Sequence, residues 1–201
     1  MNILKIDPAR IKQSLIAKAV QKVKEGGVVI FPTDTVYGIG CQAGNQKSIK
    51  RIYNIKNRDR HKPLPILIAG LRQLSDLQVK IPREAKQLIK KFWPGPLTLV
   101  LPSAAGDPVG VRMPHHPVAL ALLKKTGPMA VTSVNFSGEA SARTIGEISA
   151  GIIQSADLVI DSGACPLSIE STILDMTGRE IKILRPGCIS QQEIMKAIKD
   201  V

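Results

Sequence analysis

Apolar positions recur along this chain in two rhythms. Ile11, Leu15, Ala19 and Val23 are four apart, on one face of a helix. Asp7-Pro8 would open that helix as N-cap and first position, and Gly26-Gly27 would end it near Glu25. The next rhythm is an unbroken run, "VVIF" (Val28–Phe31), the mark of a short buried strand. Asn45 would cap a second helix with Ile49, Ile52, Tyr53 and Ile55 on its apolar side. "KNRDRHKP" leaves that helix, because Pro63 disfavours helical geometry in the residue before it.

The alternation continues to the end. "LPILIA" (64–69) predicts a strand, Pro82 to Phe92 a basic helix, and "PGP" (94–96) a turn. "LTLVL" (97–101) and "VGVRM" (109–113) predict strands, followed by a helix from Pro117 to Lys125. "MAVTSV" (129–134) is a strand, Gly146 to Ser155 a helix and "LVID" (158–161) a strand. "STILDM" and "EIKILR" flank Thr177-Gly178-Arg179 as a hairpin, and Ser190 caps a last helix. Interleaved strands and helices with one hairpin predict an α/β (α+β) domain: a twisted mixed sheet flanked by helices. No repeat or linker divides it, so residues 1–201 are expected to form a single domain.

Composition narrows the class. Aromatics make up only 3%, so Ile, Leu, Val and Ala must build the core. "MNILKID" is too short and polar for a signal core, and no apolar run approaches the roughly 20 residues of a membrane span. Cys41, Cys165 and Cys188 are widely separated and lack CxxC spacing, which argues against a disulfide framework or a zinc site. The expectation is a cytoplasmic protein with no membrane partner and no metal site of its own.

Charge changes the picture. The net charge is +12. Lys47, Lys50, Arg51, Lys56, Arg58, Arg60 and Lys62 stand within sixteen positions against one acid, Asp59. Such a cluster attracts phosphates, nucleotides or RNA. Neither GxxxxGK[ST] nor a GxGxxG after a strand is present, so the usual phosphate cradles are missing. His115-His116, between two prolines, reads as a surface turn. Three segments remain. "PTDTVYG" is a strand-to-loop turn with Asp34 as an Asx cap, or a ligand-receiving strand end. "KNRDRHKP" is a solvated helix end or an anion clamp. In "TSVNFSGEAS" (132–141), strand alternation puts Ser133 and Asn135 on one face; this is a polar loop or a set of short donors. Ligands of open α/β sheets gather at such strand ends.

Taken together, "PTDTVYGIG", Lys56-x-Arg58, Ser133-x-Asn135 with "FSG", "STILD" and "LRPG" resemble the YrdC/TsaC family of L-threonylcarbamoyladenylate synthases. The motifs run in the family's order over about residues 10–195. The resemblance implies a YrdC-like sheet around a basic concave face. It implies a nucleotidyltransferase that condenses L-threonine, bicarbonate and ATP to threonylcarbamoyl-AMP and pyrophosphate. Mg2+ would accompany ATP, and threonylcarbamoyl-transferase proteins would pass the group to tRNA. Lys56, Arg58, Ser133 and Asn135 match the family's catalytic tetrad. Thr35, Arg112 and Ser171 match threonine-binding positions, with Arg112 facing the carboxylate. Arg58, Lys62, Ser133, Ser141 and Arg185 match ATP-binding positions.

Two positions depart from the family. Leu67 stands where longer members carry a histidine, and Asp59 stands where proline is common, placing a negative charge beside the clamp. Longer relatives also add a second domain; here a lid would come from the chain's own loops or termini. The rival reading is a tRNA- or double-stranded-RNA-binding protein of the same fold without synthase activity. Against it stand the complete tetrad and the scarcity of aromatics for base stacking.

Overall fold

The structure, a computed structural model, describes residues 3–136, 138–178 and 180–199. Its strands are β1 (Ile3–Lys5), β2 (Val29–Phe31), β3 (Gly38–Gln42), β4 (Ile66–Leu67), β5 (Leu97–Leu101), β6 (Val109–Arg112), β7 (Met129–Ser133), β8 (Leu158–Asp161), β9 (Thr172–Asp175) and β10 (Lys182–Arg185). Its helices are α1 (Gln13–Lys24), α2 (Gln46–Lys56), α3 (Arg83–Phe92), α4 (Pro117–Thr126), α5 (Ala150–Ser155) and α6 (Gln191–Lys199), with short 3-10 segments at Leu71–Leu77 and Ile145–Glu147. The strands form one sheet in the order β1-β8-β2-β3-β7-β4-β6-β5-β9-β10. It is mixed: β8 runs parallel to β1 and β2, β4 to β6 and β5 to β9, while β3 is antiparallel to both its neighbours.

Strand alternation sorts the side chains into three cores. Val29, Phe31, Val131 and Ile160 pack under Ile16 and Val23 of α1 and Leu122 of α4. Ile30, Ile39 and Val159 pack on the opposite side with Ile52 of α2 and Ile152 of α5. Leu97, Leu99, Leu101, Val111 and Leu174 pack with Leu88 of α3 and Ile194 of α6. The alternate residues of these last strands, Thr98, Val100, Gly110, Arg112 and Ile173, line a cavity of about 780 Å³. One face of β5, β6 and β9 thus serves the core and the other serves a site.

Local chemistry explains most boundaries. Asn45 Oδ1 accepts from Ser48 N at 3.0 Å, and α2 ends where Asn57 turns left-handed (φ 49°). Ser190 and Glu193 cap α6 reciprocally: Glu193 Oε2 accepts from Ser190 N at 2.9 Å and Ser190 Oγ from Glu193 N at 3.3 Å.

Several expectations are corrected. Asp7 does not cap α1; its Oδ1 accepts from Ala9 N at 2.8 Å in a separate turn, and the helix begins at Gln13. That short-range bond offers the backbone an alternative to helix. The 146–155 helix is broken, because the Ser149 side chain accepts from Ile152 N at 3.4 Å and starts α5 afresh. His116 is buried rather than at the surface. β1 is too short to show a period. β3 hides behind its glycines, which the packing requires: a Cβ at Gly38 or Gly40 would lie 2.8 or 2.7 Å from the Val131 side chain of β7. β9 and β10 do form the expected antiparallel hairpin. Arg179 of its turn lies outside the described residues, as does Ser137 of "FSG". Among the described residues, no helix is long and apolar enough to cross a membrane.

Candidate active site

The cavity has three polar corners. The first is the turn that follows β2. Thr33 Oγ1 donates to Val36 O at 2.7 Å and accepts from Thr35 N at 3.2 Å and Val36 N at 3.3 Å. Thr33 and Thr35 hydroxyls lie 3.0 Å apart, and Arg112 Nη1 donates to Thr35 Oγ1 at 2.9 Å. Each hydroxyl has one proton. Since Thr33 spends its own on Val36, Thr35 donates to Thr33 and accepts from Arg112. The polarity of the relay is therefore fixed. Arg112 also donates through Nε to Gly95 O at 3.0 Å and through Nη2 to Asp34 Oδ1. Burial pulls the Arg112 pKa down, and the Asp34 carboxylate opposes that shift. Asp34 does not cap the turn, a role taken by Thr33 Oγ1; its carboxylate is the counter-ion of Arg112. Among the described residues, its Oδ2 has no hydrogen-bond partner.

The second corner is the end of α2. Lys56, its last residue, is buried, and its ammonium donates to Ser133 O and, at 3.4 Å, to Asn135 Oδ1. Burial, aided by Arg58 and opposed by Glu170, lowers its pKa to about 8. Arg58 folds onto its own loop, donating through Nε to Lys62 O at 3.0 Å and through Nη2 to Pro63 O at 3.3 Å. Asp59 caps the same loop, its Oδ1 accepting from His61 N at 2.9 Å. Among the described residues, Asp59 forms no ion pair. Its charge beside the clamp shapes the loop rather than pairing with Arg58. β7 ends at Ser133, so Asn135 lies past the strand; its Nδ2 donates to Phe136 O and Glu139 O at 2.9 and 2.7 Å, and this fixes the amide.

The third corner is centred on Glu170, a residue the sequence reading passed over. Its Oε1 accepts from Ser141 Oγ and its Oε2 from Arg185 Nη1, each at 2.6 Å. Arg185 Nε and Nη2 donate to Ser171 O at 3.1 and 2.8 Å, and Nη2 also to Ser171 Oγ at 3.0 Å. Ser171 Oγ is 2.9 Å from Thr98 Oγ1. Thr98 was legible, because alternation in "LTLVL" turns it away from the core. Glu170 had only its place next to Ser171 to mark it.

Nine of the ten residues singled out from sequence line this one cavity: Thr35, Lys56, Arg58, Lys62, Arg112, Ser133, Asn135, Ser171 and Arg185. Ser141 reaches it through Glu170. Leu67, where longer family members carry histidine, lines it too. Lys56, Arg58, Lys62, Arg112 and Arg185 face only two carboxylates there, Glu139 and Glu170. Such a site can hold a polyanion and, at the Thr35–Arg112 corner, a small zwitterion. Among the described residues, no three His, Cys, Asp or Glu side chains gather as a metal site.

The family model Sua5_yciO_yrdC, described as "Telomere recombination", matches residues 21–187. The threonylcarbamoyl-AMP synthase of Pyrococcus abyssi is 39% identical over 202 residues, covering 96% of this chain and 59% of its own length. The threonylcarbamoyl-AMP synthase of Bacillus subtilis is 39% identical over 194 residues, covering 91% of this chain and 56% of its own. This chain thus spans less than two thirds of either relative. The crystal structure of P. abyssi Sua5 complexed with L-threonine superposes with a TM-score of 0.93 at 38% identity, over 100% of this chain and 62% of that one. The fold, the motifs and the match over residues 21–187 lead to one conclusion: the chain belongs to the Sua5/YciO/YrdC family.

Proposed function

We propose that this protein is an L-threonylcarbamoyladenylate synthase, a cytoplasmic enzyme. It condenses L-threonine, bicarbonate and ATP to threonylcarbamoyl-AMP and pyrophosphate, for transferase proteins that modify tRNA. One observation carries the reading. Within one cavity, Lys56, Arg58 and Lys62, which form no ion pair among the described residues, accompany a corner with the donors and acceptors that suit an amino acid (Thr35, Arg112, Ser171). The P. abyssi relative's complex with L-threonine supports that corner.

The chemistry follows from the donor inventory. Arg112 uses three N–H groups on protein and keeps two for a carboxylate. Thr35 Oγ1 has spent its proton, so toward a ligand it accepts, as an ammonium or amine requires. The threonine amine attacks bicarbonate and water leaves. The resulting carbamate attacks the α-phosphate of ATP, forming the new P–O bond as pyrophosphate departs. Nucleophile and electrophile are both anionic, so positioning and charge neutralisation dominate. Lys56 and Arg58 offset the developing charge, and Ser133 and Asn135 orient phosphate or carbamate. Mg2+ arrives with the triphosphate as part of the substrate. Exposed Lys47 and Lys50 on α2 are available to tRNA or double-stranded RNA, whose binding would fall steeply with salt.

The test is pyrophosphate release by purified protein with ATP, bicarbonate and L-threonine, each omitted in turn. Release that needs all three supports the synthase. If no release occurs while tRNA binding stays salt-dependent, the RNA-binding reading takes its place.

A further inference from the structure

We infer that Glu170 is a displaceable internal counter-ion: its carboxylate occupies the place of a phosphate at Arg185 and Ser141, and ATP must expel it. This inference rests on the synthase reading above and deepens its nucleotide side.

The hydrogen-bond inventory carries the argument. Arg185 has five N–H donors. Nε and Nη2 are spent on Ser171, and one Nη1 hydrogen goes to Glu170 at 2.6 Å. The single hydroxyl proton of Ser141 goes to the other Glu170 oxygen at 2.6 Å. One carboxylate therefore takes one of the two Nη1 hydrogens of Arg185 and the only hydroxyl proton of Ser141, one on each oxygen, as two oxygens of a phosphate would. Arg58 contrasts with this. Its bonds go to two backbone carbonyls and, among the described residues, no carboxylate pairs with it, so none of these competes with a phosphate.

Glu170 is also within reach of water. The Arg185 and Glu170 side chains keep 36% and 32% of their exposure, so water can solvate a released carboxylate. Its departure would free two donors, Arg185 Nη1 and Ser141 Oγ, together. A carboxylate left in place would instead repel the polyphosphate. Glu170 is thus a positioning residue that holds Arg185 and Ser141 aligned when the site is empty and sets ATP affinity by how readily it leaves.

Calorimetric titration of the full chain with a non-hydrolysable ATP analogue, adenosine and L-threonine tests this. Glu170→Gln keeps an acceptor and removes the charge. It should bind the ATP analogue about three- to tenfold more tightly, the scale of one like charge removed in a partly solvated site. Adenosine and L-threonine affinities should stay unchanged. A purely structural role would move all three ligands or weaken the analogue. Glu170→Asp keeps the charge and should show no gain. An unchanged or weakened analogue affinity in Glu170→Gln, or an equal gain in Glu170→Asp, overturns the inference. If the wild-type chain binds neither the analogue nor L-threonine, the synthase reading fails instead.

Discussion

Two Arg–carboxylate pairs flank the cavity, and they differ in burial. Arg112–Asp34 leaves its side chains only 7% and 4% exposed, whereas Arg185–Glu170 leaves 36% and 32%. The first pair is fixed from several sides, since Arg112 is also tied to Gly95 and Thr35 and thereby orders the Thr33–Thr35 relay. The second is a pair that water can reach. Identical chemistry thus makes one rigid corner and one solvated corner, which the proposed synthase would use for the amino acid and the polyphosphate in turn. Breaking the rigid pair should have the largest effect. Asp34→Ala leaves a buried guanidinium without its counter-ion and should cost about 3–5 kcal/mol of unfolding free energy. Urea denaturation measures it. A loss below about 1 kcal/mol would mean that the Arg112 corner is not held by Asp34.

Lys56 sharpens the comparison as a buried cation without a carboxylate. Lys56→Ala should lower kcat for pyrophosphate release about 10²- to 10³-fold, the loss typical of one charge-stabilising donor. Near-normal turnover would remove Lys56 from the chemistry. Stability should move the other way. Burial lowers the Lys56 pKa to about 8 from 10.5, so between those values the unfolded chain holds more protons than the folded one. Stability then rises with pH across that window, and the penalty is fully present below pH 8. Lys56→Met carries no such penalty. It should be more stable than wild type at pH 7 by about 1–3 kcal/mol, and the gap should narrow from pH 8 towards 10.5. A gap that does not vary with pH would contradict the burial argument.

The same contrast marks what could be read from sequence. Strands β5 and β6 were legible because alternation separates Leu97, Leu99 and Val111 from Thr98, Gly110 and Arg112, and the second set lines the cavity. The tetrad was legible as two short pairs, Lys56-x-Arg58 and Ser133-x-Asn135, that carry the family resemblance and sit at element ends: Lys56 closes α2 and Ser133 closes β7. That the two pairs meet, with Lys56 and Ser133 77 residues apart, is a product of the fold. Asp34 and Glu170 were not legible as counter-ions. Asp34 finds its arginine 78 residues away, only when distant strands come together, and Glu170 finds its own 15 residues away across the β9–β10 hairpin, whose side-chain pairing no motif announced. β3 was hidden for a packing reason, since its glycines make room for Val131 and carry no periodic signal of their own.

The smallest expected effect decides whether burial really separates the two pairs. Exposed ion pairs contribute about 0–1 kcal/mol, because water and salt screen them and side-chain entropy offsets the gain. Glu170→Gln should therefore lower the unfolding free energy by less than about 1 kcal/mol, and raising the salt should erase even that difference. Asp34→Asn, measured alongside, should lose several-fold more and respond little to salt, since ions cannot enter its site. Equal losses in the two variants would mean that Glu170 is as much a part of the scaffold as Asp34, and the third corner would then have to receive its ligand with the carboxylate still in place.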